Sequence, residues 1–209
     1  MNERSWRWGS MVVLLVAVAV VHVLSHREGH VWGGDFAMYV GHARNLVEAV
    51  PYNDTGYLYN RAAPVVGPPT YPPGLPAILA PLYATFGLEL EPMKWLMVAC
   101  FMVFLVVLAL TFRRELPFEQ LLALVAIVGL NHFFLTETSI ITSDLPFMAT
   151  VYLTFLLVKE AYVAGRSRWA QYLLLSATGL TIYASYATRS PGLLLAPSLV
   201  LHDLFVSRR

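Results

Sequence analysis

The sequence predicts an all-α membrane protein, a helical bundle of six to seven transmembrane segments with a long first outer loop. Three observations carry the membrane part of that reading. The chain of 209 residues is 57% hydrophobic and only 13% charged, against about 25% charged in an ordinary soluble domain. Its charges gather between long apolar runs instead of mixing with them, as lipid-crossing segments require. No internal repeat or linker is visible, so residues 1–209 read as one module.

The first apolar run, Met11 to Ser25, follows Arg4 and Arg7. A signal peptide begins the same way, but no A-x-A-like cleavage site follows, only Ser25-His26-Arg27-Glu28. We therefore read Gly9–Ser25 as an uncleaved first helix. Further crossings are expected at Met93–Phe112, Phe118–Phe134, Leu145–Val163, Trp169–Thr188 and Gly192–Phe205. Flanking polar residues must extend the shorter ones toward the ~20 residues a crossing needs.

The basic clusters set the orientation. Arg4 with Arg7, Arg113 with Arg114, Lys159 with Arg166 and Arg168, and Arg208 with Arg209 all belong in the cytoplasm by the positive-inside rule. Six crossings satisfy every cluster if the apolar stretch Pro73–Phe86 dips in from outside without crossing. A full crossing there would put Arg113 and Arg114 outside. Pro72, Pro73, Pro76 and Pro81 also lack an N–H, so an incomplete hydrogen-bond ladder is expected. Such backbone survives at membrane depth only inside protein or along a water-filled cavity. Gly74 would let it approach a ligand, and Tyr71 could stack on a sugar ring.

Two outer surfaces follow, a long loop from His26 to Tyr71 and a short one from Asn131 to Asp144. In the long loop, Asp35–Ala49 sets Phe36, Val40, Ala43 and Val47 on one helical face, with Tyr39 and Leu46 beside it. That spacing predicts an amphipathic interfacial helix. Val50–Pro73 is rich in Pro, Gly, Tyr and Asn and predicts an ordered irregular loop.

Candidate chemistry sits in these loops. Asp35 reads first as a helix N-cap and second as a carboxylate placed to take a proton from a hydroxyl. Asp144, in Thr142-Ser143-Asp144-Leu145-Pro146, again suits a cap, with Ser143 or Asp144 before Pro146. Glu137 shares its loop, and acids this close to hydrocarbon raise the expectation of function. Arg189, between two apolar runs, falls outside against the charge rule; it could bind phosphate through paired hydrogen bonds or snorkel to headgroups. His22, His26 and His30 recur every four residues, a metal-ligand spacing only if one helix carries all three. Gly29 argues against that, and interfacial histidines are the better reading. Tyr52, Tyr57, Tyr59 and Tyr71 suit an interface belt. Asn53-Asp54-Thr55 matches a glycosylation acceptor pattern that is frequent by chance. The lone cysteine, Cys100, excludes an internal disulfide; the net charge of +1 says nothing about nucleic acid, and no basic patch points to it as a partner.

Taken in order, these pieces resemble the GT-C membrane glycosyltransferases. Gly33-Gly34-Asp35-Phe36-Ala37-Met38-Tyr39 with Ala43-Arg44-Asn45-Leu46 is similar to their first outer loop. Tyr71-Pro72-Pro73-Gly74-Leu75-Pro76 with Leu79-Ala80-Pro81-Leu82 resembles their Pro-Pro segment. Thr142-Ser143-Asp144-Leu145-Pro146 and Thr188-Arg189-Ser190-Pro191-Gly192-Leu193 resemble two later turns. The likeness spans about Met11 to Leu201 and points to the relatives of dolichyl-phosphate-mannose protein mannosyltransferases and of lipid A aminoarabinose transferases. It departs from them in Phe36, where many relatives carry a second acid, and in Tyr71, where the aminoarabinose transferases carry Lys. Family members are longer, so the C-terminal part of the family is expected to be missing here.

The resemblance implies transfer of a sugar from a polyprenyl-phosphate carrier to a glycan, lipid or protein acceptor at the outer face of a membrane, the bacterial inner membrane by expectation. Asp35 becomes the expected catalytic base. Tyr39, Tyr71, Asp144 and Arg189 become substrate-binding residues. No cofactor is assigned with certainty; Glu137 with Asp144 could hold a divalent metal. The rival readings are a lipid-carrier flippase or transporter and an inactive truncated remnant.

Overall fold

The computed structural model describes residues 3–30, 35–58, 61–62 and 67–206, without the side chains of residues 3–5 and 206. Gly33, Gly34, Tyr59, Arg208, Arg209 and the side chain of Arg4 lie outside the described residues. Among the described residues the protein is all-helical, with no strand. The helices are α1 (Glu3–Leu24), α2 (Phe36–Glu48), α3 (Gly74–Phe86), α4 (Leu90–Phe112), α5 (Phe118–Gly129), α6 (His132–Glu137), α7 (Asp144–Ala161), α8 (Arg168–Thr188) and α9 (Leu195–Val206). Short 3₁₀ turns cover Pro68–Thr70 and Ser190–Leu194. Among the described residues, two stretches, Trp6–Leu24 within α1 and Leu90–Phe112, are long and apolar enough to cross a membrane.

Helix α4 is the centre. Met93, Met97, Phe101 and Leu105 recur every four residues and are fully buried, with Phe104 and Leu108 beside them. This stripe packs against Val18 of α1, Leu75 and Leu79 of α3, and Leu145 and Ala149 of α7. Helix α7 is sandwiched between α4 and α8. Helix α5 closes on α1, where Gly129 is so near Val18 that an added Cβ would stand 2.9 Å from its methyl.

Charge divides the bundle into two poles. At one, Arg113, Arg114 and Arg166 converge on Glu160 at 2.8, 3.2 and 2.7 Å. Lys159 bonds Glu115 there, and Arg7 lies over the Phe118 ring. At the other, Glu91 takes His26 at 2.8 Å and Lys94 at 2.6 Å. Lys94 is fully buried and also donates to the carbonyls of Arg27 and Gly29, which ties the chain leaving α1 to the start of α4.

Helix α3 lies across this second pole. Its first residue, Gly74, abuts the carbonyl of Ala187 at the end of α8. Its last turn passes through Gly87, at φ 64°, into the start of α4 beside His26. Both ends are therefore at one pole. The expected incomplete ladder is limited to one place: after Pro73, Gly74–Phe86 forms a helix. Pro76 falls in the first turn, where amides have no helical partner, and Pro81 removes a single bond. Gly74 approaches backbone, not an open ligand space.

Other expectations shift too. Phe118–Phe134 is two helices, because the chain breaks at Leu130 and restarts where Asn131 accepts a capping bond from the Phe133 amide. The α2 face is rotated from the expected one: Phe36, Tyr39, Val40 and Ala43 are buried, while Leu46 and Val47 are exposed. Two polar side chains cause the turn. Asn45 reaches the carbonyls of Pro51, Tyr52 and Asp54 at 2.9–3.1 Å, and His42 reaches that of Tyr52 at 2.7 Å. The loop folds back onto that side of the helix.

Candidate functional site

A cavity of about 240 Å³ opens at the pole opposite the basic cluster. It sits where the start of α2, the start of α7 and the end of α8 meet. Asp35, Tyr39, Asp144 and Arg189 all line it, although they stand far apart in the chain.

Asp35 precedes α2 but makes no capping bond. Its Oδ1 accepts instead from the Tyr71 hydroxyl at 2.8 Å. Asp35 thus holds the expected N-cap position, but its carboxylate is turned to a phenol from the Pro-rich segment instead of to the helix. Tyr71 follows the 3₁₀ turn at Pro68–Thr70, and its carbonyl accepts from the Tyr52 hydroxyl at 3.0 Å. Its ring stands edge-on to Tyr39, with centroids 5.3 Å apart. Tyr39 in turn shares a 2.9 Å hydrogen bond with the Ser143 hydroxyl. Burial, and then Asp35, push the Tyr71 phenol above its ordinary range, so it remains a donor. Burial raises Tyr39 in the same way. Tyr52 and Tyr71 are thus tied into the loop.

Asp144 is the first residue of α7, where a carboxylate complements the helix dipole. Its Oδ1 pairs with Arg189, and its Oδ2 accepts from the Thr142 hydroxyl at 2.7 Å. Ser143 is the N-cap residue but spends its hydroxyl on Tyr39 rather than on the helix. Arg189 stands in extended backbone between α8 and the following 3₁₀ turn, its amide bonded to the Ser185 carbonyl. Gly192 makes that turn possible: a Cβ there would stand 2.4 Å from the Ser185–Tyr186 backbone.

Glu137 ends α6 beside this cavity, half-buried. Burial, and then the charge of Asp144, raise its pKa. The metal expectation at Glu137 and Asp144 does not fit this donor set. Both Asp144 oxygens are engaged, and among the described residues no three His, Cys, Asp or Glu side chains converge.

The histidines have separate partners. His22 is buried, not interfacial, and bridges Thr138 and the Gly129 carbonyl at 2.9 Å each. His26 stacks on Trp95 and bonds Glu91. His30 lines the cavity, over the Phe36 ring, and its Nε2 accepts from the Ile141 amide at 2.9 Å. It was legible only as one of a spaced series, because helix α1 ends at Leu24 and the loop then turns each ring elsewhere. Thr142 and Ser143 carried no signal beyond the cap motif. No family model, curated protein or solved structure matches this chain.

Proposed function

We propose that the chain is a membrane-embedded glycosyltransferase module that moves a sugar from a polyprenyl-phosphate carrier to an acceptor hydroxyl at the non-cytoplasmic face. The single observation that carries the reading is the meeting of Asp35 with the Asp144–Arg189 pair in one cavity, at the pole away from the basic cluster. One reaction needs its base and its phosphate ligand that close together.

The membrane setting draws support from the outer surface of the bundle. Val12, Val13, Val16 and Val20 of α1 face outward. On α8, exposed Leu173 and Leu180 continue this apolar surface, and exposed Trp169 and Tyr172 lie toward one pole. Aromatic side chains favour the two membrane–water interfaces. In this reading α1, α4, α7 and α8 each cross, α5 together with α6 and the Ser190–Leu194 turn together with α9 make the two remaining passages, and α3 lies at the outer face.

The step is an inverting displacement. The acceptor oxygen attacks the anomeric carbon, its proton passes to Asp35, and the bond from carbon to phosphate oxygen breaks with its electron pair staying on the phosphate. Tyr71 holds one Asp35 oxygen and leaves the other for the acceptor. Arg189 meets the charge growing on the phosphate. Its guanidinium has five N–H donors, so Asp144 can hold one edge while another faces the donor. Asp144 is then a positioning residue.

The test is transfer by the full chain in lipid nanodiscs supplied with polyprenyl-phosphate sugars. Asp35→Asn should lower the rate by about 10²–10⁴-fold, the usual worth of a general base, with membrane insertion intact. Full activity in that variant sinks the assignment.

A further inference from the structure

A second cleft, of about 510 Å³, lies on the far side of Tyr71. Tyr71 hydrogen-bonds Asp35 with its hydroxyl while also lining this cleft, and Ser190, the neighbour of Arg189, lines it as well. Tyr52, Tyr183, Tyr186 and Thr70 complete the wall that matters. We propose that this cleft binds the neutral sugar chain of a glycan acceptor. The inference rests on the transferase reading for its link to catalysis, but not for the binding itself.

The lining chemistry selects the ligand class. Among the described residues, none that lines the cleft carries a charge, so a phosphate headgroup or an acidic peptide finds no counter-ion there. What the wall offers is aromatic faces with hydroxyl groups at their rims. A pyranose presents the complement, apolar C–H faces with hydroxyls around the edge. The platform is also rigid before any ligand arrives. Tyr52 stacks on His42 at 3.9 Å, 11° from parallel, and donates to the Tyr71 carbonyl. Tyr71 is fixed by its bond to Asp35 and its edge contact with Tyr39. Opposite them, Tyr183 and Tyr186 are 67% and 44% exposed, so their rings are open to a ligand. An acceptor seated here would need only to pass Tyr71 to bring a terminal hydroxyl to Asp35.

Proline-rich peptides also favour aromatic grooves, and they form the rival outcome. The experiment uses the full chain in nanodiscs and saturation-transfer NMR. The probes are mannotetraose, maltotetraose and chitotetraose, with hexaproline alongside. At least one tetrasaccharide should bind saturably and reversibly. The double variant Tyr183→Ala with Tyr186→Ala should weaken it about tenfold or more, since stacked rings each supply roughly a few-fold. Tyr186→Trp, which keeps the platform, should retain it and controls for folding. No saturable tetrasaccharide binding, binding unchanged in the double variant, or binding of hexaproline alone would overturn the proposal. Tyrosine-dependent sugar binding without any transfer leaves the cleft standing and removes the transferase reading. Transfer with no loss in the double variant does the reverse.

Discussion

Tyr71 donates its phenolic hydrogen to Asp35 Oδ1 at 2.8 Å, across 36 residues of chain. This bond turns the Pro-rich segment into a support for the carboxylate. A hydrogen bond to a charged group is worth about 1.5–3 kcal/mol. Tyr71→Phe should therefore slow transfer by roughly ten- to a hundredfold, less than the loss in Asp35→Asn. Turnover in nanodiscs measures it, and an unchanged rate would detach Tyr71 from the reaction.

The same tyrosines set an alkaline limit. Burial raises Tyr39 and Tyr71 above the ordinary phenol value and brings Tyr52 to about 12. A pKa raised on folding means the folded state holds the proton more tightly. The stabilisation is complete below the unfolded value of about 10 and is lost as pH rises through the folded values. Thermal unfolding should be flat with respect to these groups up to about pH 10 and fall beyond it. Tyr52→Phe should flatten the fall; an equally steep decline in that variant contradicts the assignment.

Glu137 gives the opposite kind of test. Its pKa is raised by burial and by Asp144, so stability is lost as pH climbs from the unfolded carboxylate value of about 4.3 through the folded value, and the loss is constant above it. Glu137→Gln removes that cost. The variant should unfold a few degrees higher than the parent at pH 8, and the gap should close below about pH 4, where both side chains are neutral. A gap that persists at low pH would assign the effect to packing instead.

Close backbone contact yields a structural prediction. A Cβ on Gly74 would stand 2.5 Å from the Ala187 carbonyl oxygen, and backbone cannot yield as a side-chain tip can. Gly74→Ala should push the start of α3 away from α8, shift the Tyr71 support, and destabilise by about 1–3 kcal/mol. Melting curves and turnover should both fall. A wild-type melting curve would mean the contact is loose.

Much of the helix pattern was legible because burial and period coincide. The α2 expectation, Asp35–Ala49, differs from the observed Phe36–Glu48 by one residue at each end, and Met93–Phe112 misses only the first turn of α4. The rest depended on partners far away in sequence. The rotation of α2 follows from Asn45 and His42 gripping the returning loop, which no helical period encodes. The Asp144–Arg189 pair was hidden because each residue had a sufficient local explanation, a cap for one and snorkelling for the other. Tyr71 was readable as a sugar platform but not as the partner of Asp35, since nothing local links the two.

The last prediction concerns α3 and the sidedness of the poles. Glu89 lies between α3 and α4, and Arg113 closes α4 at the other end. A 23-residue helix separates them, about 35 Å at 1.5 Å per residue, which exceeds the ~30 Å hydrocarbon core. If α4 crosses, the two positions must face opposite sides. The basic cluster of Arg113, Arg114 and Arg166 around Glu160 belongs inside, so Glu89 belongs outside with Asp144, and α3 never reaches the cytoplasm. In a Cys100→Ser background, Glu89→Cys and Asp144→Cys should react with a membrane-impermeant maleimide added outside intact cells. Arg113→Cys should react only after permeabilisation; its loss leaves Arg114 and Arg166 on Glu160, so the pole should persist. External labelling at 113, or protection at both 89 and 144, would invert the orientation and remove the outer-face site. Labelling of 89 and 113 from the same side would show that α4 does not cross, and the whole membrane arrangement would have to be redrawn.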